Sequence, residues 1–388
     1  MFNVRAHGIL RRACTPENNP HEGNTVKITR AGSLAALTLA GALVLSACAT
    51  NEADAPPADD TAAALAGSLV GAGSSAVGAA QAVWIAEFQM ANPDVTVTYD
   101  PTGSGAGRET FLGGGSAFAG TDRAFKDDEL AAGGFASCAE GSGIVQLPLY
   151  VSPIAVIFQL EGIDSLNMSP DVIASVFAQS ITNWNDPAIA ALNEGVELPD
   201  LAITAVHRSD DSGTTENFTD YLFQAAPSIW TAEPDGVWPF ESGEAAQGTS
   251  GVVDAVTNGT GTIGYADASR AGDLGTISVQ IGDEFVPFSP EAAAAIVDAS
   301  PFIEGRPDFD LSIELDRTPD SAAYPVVLVA YLVACETYLD SAQAELVKAY
   351  FTYMASDEGQ AAAAAGAGSA PISASLFERV TAAINVIS

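Results

Sequence analysis

The sequence predicts an α/β protein of two domains, and three observations carry that reading. Its 388 residues exceed one small domain, since domains of about 100–200 residues are usual. Hydrophobic residues make up 48% of the chain, enough to bury a core in each half. Beyond residue 66, short β-like runs alternate with helical stretches, and the junctions between them are rich in Gly and Ser, as expected where strands and helices interleave along the chain. No period of 20 to 50 residues recurs, which argues against a repeat architecture.

The first 47 residues read as an export signal. Lys27 and Arg30 precede an uncharged apolar run, Ala31 to Ala47, that ends at Cys48. It is short and Ala/Gly-rich for a stable membrane span. Its end, Leu45-Ser46-Ala47-Cys48, resembles a bacterial lipobox, which implies cleavage before Cys48 and diacylation of its sulfur. A plain signal anchor is the alternative. Residues 1–25 are polar, carry Glu17, Pro20 and Glu22, and make a poor n-region, so translation is expected to start at Val26. Asn51 to Leu65 is Pro-, Ala- and acid-rich without an apolar period, a spacer between membrane and folded body; residues 48–66 are thus lipidated Cys plus flexible linker.

In the body, strand-like runs are expected at Ser68–Gly71, Val95–Tyr99, Ile144–Tyr150, Pro153–Gln159, Ala202–Val206 and Val326–Val333. Helices are expected at Ala76–Ala91, Pro170–Ala178, Ser212–Ala226, Gly251–Thr257, Pro290–Ala299, Ser341–Ala355 and Ser373–Ala383. The low-complexity tract Ala361–Gly368 reads as a loop or frayed helix.

Charge narrows the function classes. The chain has 14 Lys and Arg against 49 Asp and Glu, a net −35. Loss of residues 1–47 removes five of the cations and two of the acids, leaving nine against 47, a net −38. Nucleic acid is excluded, because phosphate-backbone contact needs clustered Lys and Arg. The same charge argues against attraction to anionic lipid heads, so membrane attachment has to come from a segment or a covalent anchor. His207, the sole histidine after processing, directly precedes Arg208 at a strand end, where alternation points it away from the arginine, which argues against a Ser/His/carboxylate triad; one His and two Cys are too few for a structural metal site, and a carboxylate calcium site stays open. Cys138 and Cys335 remain as a pair, for which a disulfide is favoured outside the cytoplasm over two separate buried thiols.

Four junctions have the chemistry to hold an anion. Gly71-Ala72-Gly73-Ser74-Ser75-Ala76 follows a strand and opens a helix, so backbone N–H groups of the first turn can point at a ligand. It also satisfies the dinucleotide pattern G-x-G-x-x-A, but Asp100 lies 29 residues after Gly71, beyond the usual spacing of about 20, and an exported protein meets little dinucleotide. Thr102-Gly103-Ser104-Gly105-Ala106-Gly107 is a second Gly/Ser loop, and Ala119-Gly120-Thr121-Asp122 offers a carboxylate. Val206-His207-Arg208-Ser209-Asp210-Asp211-Ser212-Gly213-Thr214-Thr215 sets a guanidinium and hydroxyls at the start of a long helix, where the helix dipole also favours an oxyanion. A phosphatase built on Ser75 or Ser104 is a rival reading, as is a dinucleotide enzyme.

From about Ser68 to the C-terminus the chain resembles the PstS family, the substrate-binding proteins of phosphate ABC transporters. LVGAGSSA, TGSGAG, FAGTDRAF, ITNWNDPAIAALN, AVHRSDDSGTTENFTDYL and GTIGYAD carry the resemblance, in the family's order and spacing. It implies that Ser75, the N–H of Ala76, Ser104, Asp122, Arg208, Ser212, Gly213 and Thr214 contact phosphate, and that Asp210 holds Arg208. Where the family has Thr-Phe, this chain has Ser75-Ala76; the hydroxyl and N–H survive but the aromatic wall does not. The resemblance further implies the two-lobed periplasmic-binding-protein fold (type 2), with residues 67–147 plus 325–388 as one lobe and 148–324 as the other. Two crossovers near Pro148 and Pro325 form the hinge, and Cys138 and Cys335 lie near it in the first lobe. The expected role is delivery of inorganic phosphate to membrane permease subunits, from the outer face of the cytoplasmic membrane, by a monomer without catalysis, cofactor or metal.

Overall fold

The computed structural model describes residues 64–319 and 323–388. The expected signal segment, Cys48 and the expected linker as far as residue 63 lie outside the described residues.

The chain opens with β1 (Gly67–Gly73), α1 (Gly78–Ala91), β2 (Val95–Asp100), α2 (Ser104–Leu112), β3 (Phe118–Thr121), α3 (Asp127–Ala132) and β4 (Ile144–Phe158). It continues with β5 (Ser165–Met168), α4 (Pro170–Phe177), α5 (Pro187–Ala190), β6 (Thr204–Arg208), α6 (Gly213–Ala225), β7 (Glu244–Ala246), α7 (Gly248–Asn258) and β8 (Thr262–Asp267). It closes with β9 (Gly275–Ile281), β10 (Glu284–Val286), α8 (Pro290–Ala299), β11 (Val327–Cys335), α9 (Ser341–Ala355), α10 (Asp357–Ala367) and α11 (Ala374–Asn385).

The strands run in the order β2-β1-β3-β11-β4-β8-β6-β7, with β9 joining β4 and carrying β5 and β10. β1, β2 and β3 are parallel, and β11 and β4 pair antiparallel at the centre. β4 changes partner along its length. Ile144 to Pro153 lie on β11, whereas Ile154 to Phe158 lie on β8. One strand therefore joins two half-sheets, and all 15 of its residues are buried, which explains an apolar run without alternation. The edge strand β2 shows the opposite pattern, burying Val95 and Val97 between exposed Thr96 and Thr98.

Three expectations need correction. Ile144–Tyr150 and Pro153–Gln159 are one strand, because each half of β4 has its own partner and the chain stays extended through Pro153. The register shift opposite Pro148, between Ala330 and Tyr331, absorbs the N–H that proline lacks. The strand expected at Ala202–Val206 sits two residues later, because Ala202 instead bridges Asn183. Ala361–Gly368 is not loose: it falls largely within α10, capped by the Ser356 hydroxyl, which accepts from the Gly359 N–H at 3.1 Å. Alanine is the strongest helix former, and Trp84 of α1 donates its Nε1–H to the Gly359 carbonyl at 2.6 Å.

Helix starts follow local chemistry. α4, α6, α8, α9, α10 and α11 each begin after a Ser or Asp whose side chain accepts a first-turn N–H, worth about 1 kcal/mol per cap. The disulfide expected for Cys138 and Cys335 is formed, with Cα atoms 5.3 Å apart, and it ties the segment after α3 to the end of β11. No helix among the described residues is long and apolar enough to cross a membrane.

Candidate functional site

The four Gly/Ser junctions meet. Parallel strands β1 and β3 end side by side, which brings the loop after β1 next to Asp122. Gly73 is required there: a Cβ on it would overlap the Gly120 carbonyl, and one on Gly107 would strike Gly73. The glycines of the GAGSSA segment thus serve strand and helix packing. Gly71 is filled by the Phe118 ring, both glycines lie within β1, and α1 starts only at Gly78, so the first helical turn, on which a dinucleotide pyrophosphate would rest, begins after the segment.

Asp122 is 3% exposed and sits opposite the first turn of α6. Thr214 donates its hydroxyl to Asp122 Oδ2 at 3.0 Å. The Asp122 N–H donates to Ser104 Oγ at 3.1 Å, and Asn217 donates its amide to the Asp122 carbonyl at 2.6 Å. Asp122 Oδ1 is buried with no hydrogen-bond partner among the described residues. Burial pushes the Asp122 pKa up, while the hydroxyls of Ser74 and Thr214 and the positive charge of Arg208 act in the other direction.

Arg208 ends β6, 3% exposed. Its Nε donates to Asp210 Oδ1 at 2.8 Å and its Nη2 to Oδ2 at 2.5 Å, a planar fork that fixes the guanidinium. Burial opposes the Asp210 charge, but the bonded guanidinium and the Gly248 N–H, 3.0 Å from Oδ1, outweigh it and hold this carboxyl below its ordinary pKa. Ser212 caps α6 by accepting the Thr215 N–H at 3.2 Å, which leaves its own proton free to donate. The free N–H groups of Gly213 and Thr214 open the helix. Gly213 has to be glycine, since its Cβ would lie 2.7 Å from Asp122 Cβ and 2.8 Å from Ser104 Oγ.

Ser75 and Ala76 are drawn into the same region with different partners. Ser75 Oγ accepts the Thr249 N–H at 3.0 Å and lies 3.0 Å from Thr249 Oγ1. The Ala76 N–H donates to Ser74 Oγ at 3.1 Å. Neither Ser75 nor Ser104 bonds an imidazole; His207 stacks on Trp238, ring centroids 4.9 Å apart, and its Nδ1 lies 2.9 Å from the Arg208 carbonyl. The arrangement offers directed donors, one fixed guanidinium and one acceptor carboxylate, without an activated nucleophile. Among the described residues no group of three or more His, Cys, Asp or Glu is placed to hold a metal ion.

The profile of the PBP superfamily domain matches residues 58–358. The phosphate-binding protein PstS3 of Mycobacterium bovis (strain BCG / Pasteur 1173P2) is 33% identical, over 93% of this chain and 100% of that one. The chain belongs to the PstS family. PstS 2 of Mycobacterium tuberculosis (strain ATCC 25618 / H37Rv) is 30% identical over 94% of this chain and 100% of its own length. Among solved structures, the chain is similar to a high-affinity periplasmic phosphate-binding protein bound with phosphate (PfluDING), with a TM-score of 0.66 and 22% identity, covering 81% of this chain and 93% of that one. That likeness establishes the two-lobed periplasmic-binding-protein fold.

Within this PstS chain, several supporting residues were not singled out by the sequence. Tyr265, inside the GTIGYAD motif, accepts the Arg208 N–H at 3.3 Å and lies 2.8 Å from Thr215 Oγ1. Thr249 and Asn217 bind the first and third loops, and Arg108 donates to Thr121 Oγ1 at 2.9 Å. The tryptophan segment, by contrast, is core: Trp184 is fully buried and donates to the Gly261 carbonyl at 3.0 Å.

Proposed function

We propose that this chain captures inorganic phosphate outside the cytoplasm and delivers it to the permease subunits of a phosphate ABC transporter. The observation that carries this reading is the buried Asp122, facing the first turn of α6 and the Arg208 fork. Phosphate at neutral pH keeps a proton, which an ionised carboxylate accepts. Sulfate has none to offer, and the repulsion in a desolvated site costs several kcal/mol by order of magnitude, about 1–3 per unpaired group.

In this reading Arg208, Ser104, the Ser212 hydroxyl and the N–H groups of Gly213 and Thr214 donate to the phosphate oxygens, and Asp210 orients the arginine. Ser75 and the Ala76 N–H complete the site once the anion competes for their present partners. Residues 67–147 with 325–388 form one lobe and 148–324 the other, and β4 is the connecting strand. Lipidation at Cys48 anchors the protein on the outer face of the membrane, and it acts as a monomer without turnover. The family's standing as a binding component of transport supports the absence of catalysis, as does the His207 ring packed on Trp238.

Calorimetry of the ligand-stripped mature protein tests this. Phosphate should titrate at one site per chain and sulfate should compete weakly; no heat with phosphate would end the reading. A phosphatase would instead release phosphate from an ester.

A further inference from the structure

Of the nine cations beyond residue 47, three gather along one seam. Arg108 on α2, with Arg123 and Lys126 just after β3, all belong to the half-sheet of β1, β2 and β3. Opposite them stand Asp211, in the loop after β6, and Glu216, in the first turn of α6. Arg123 Nε lies 3.0 Å from Glu216 Oε2, and Lys126 Nζ lies 3.1 Å from Glu216 Oε1. Arg108 Nη2 lies 3.4 Å from Asp211 Oδ2, and the Gly105 N–H donates to the Asp211 carbonyl at 3.1 Å.

Resting on the phosphate-binding reading, we infer that Glu216, clamped by Arg123 and Lys126, is a positioning residue that holds the two lobes closed over the anion and sets the rate of its release.

Two physical arguments support this. Glu216 occupies the same first turn whose N–H groups are offered to the anion, so its bare charge would repel phosphate; the two cations cancel it only when the lobes meet. In addition, the processed chain is strongly acidic throughout, so opposing lobe faces repel unless the scarce cations lie between them. Arg123 is itself held by Glu129, whose carboxylate accepts from Nη2 at 2.9 Å. Burial works against the Glu129 charge, but the Arg123 bond prevails and holds its pKa at about 2. Arg123 therefore keeps a partner when the lobes part, and only the Glu216 carboxylate is given up to solvent. The seam borders a cavity of about 320 Å³ that Arg123, Lys126 and Glu216 help to line, which gives salt access to it.

Release of labelled phosphate into excess unlabelled phosphate, followed across a range of NaCl concentrations, tests the assignment on the full mature protein. Glu216→Gln should release phosphate about 10-fold faster than wild type and lose most of the wild-type increase of release with salt, while Glu216→Asp restores part of both. Lys126→Gln, at a position whose side chain is 51% exposed, should shift release the same way with less risk to folding. Release rates and salt slopes equal to wild type in both Gln variants would overturn the latch and leave phosphate binding intact. A wild-type protein that takes up no phosphate would overturn the binding reading and the latch with it.

Discussion

The Thr214 hydroxyl donates to Asp122 Oδ2 at 3.0 Å, joining the first turn of α6 to the loop after β3 while the other carboxylate oxygen has no hydrogen-bond partner among the described residues. In the proposed reading, that second oxygen accepts the proton of the anion. Asp122→Asn replaces it with a group that can also donate, so sulfate is no longer opposed by a charge. The preference for phosphate over sulfate should fall by about 10- to 100-fold. Competition calorimetry checks this, and unchanged selectivity would remove Asp122 from the selective role.

Gly103 precedes α2 with φ 107°, a conformation that L side chains rarely adopt. A Cβ there would lie 2.5 Å from Asp210 Oδ2 and 3.6 Å from Arg208 Nη2. Gly103→Ala should therefore cost about 1–3 kcal/mol of stability and weaken phosphate binding about 10-fold or more by displacing the Arg208–Asp210 fork. Gly133→Ala is the control, since Gly133 also has a positive φ but nothing within 4 Å of an added Cβ. It should lose stability and keep affinity. Equal affinity losses in both variants would point to general destabilisation.

Sequence legibility tracks the distance over which each feature is determined. α8 and α9 have the bounds expected, Pro290–Ala299 and Ser341–Ala355, because cap and apolar spacing are local. The continuity of β4 through Pro153 depends on β11 and β8, strands about a hundred or more residues downstream, so local pattern divides it in two. In the site, the loops were legible because each is a contiguous Gly/Ser or Arg segment at a strand end. Arg108, Asn217, Glu216 and Thr249 were not, because their roles lie in partners far along the chain: Asn217 meets Asp122 across 95 residues and Thr249 meets Ser75 across 174. Nothing in the segment around Thr249 distinguishes a surface cap from a bridge.

The Cys138–Cys335 link closes a loop with a sequence separation of 197, so cutting it frees a large part of the unfolded chain. Reduction should lower stability by about 2–5 kcal/mol, read as a shift in the guanidinium midpoint with and without reductant. Phosphate affinity of the folded reduced protein should stay within about 2-fold of the oxidised form, because neither cysteine touches the site. Coincident midpoints would mean that the bond adds no constraint to the unfolded chain.

Asp267, at the end of β8 and fully buried, accepts from the Tyr150 hydroxyl at 3.1 Å and from the Ser269 N–H at 3.0 Å. Burial nevertheless dominates, and its pKa is pushed up from 3.8 to about 6. With the folded pKa above the unfolded one, the folded state retains a proton between pH 3.8 and 6 that the unfolded state has lost. The Asp267 contribution is therefore most favourable below pH 3.8 and declines as pH rises to about 6, by about 3 kcal/mol in all. Asp267→Asn cannot ionise and escapes this decline. Comparing denaturant stabilities of the two proteins cancels the other acids. The variant should gain on wild type as pH goes from 4 to 6.5 and hold level above it, and a constant difference across that range would show that Asp267 keeps the same charge in the folded and unfolded chains.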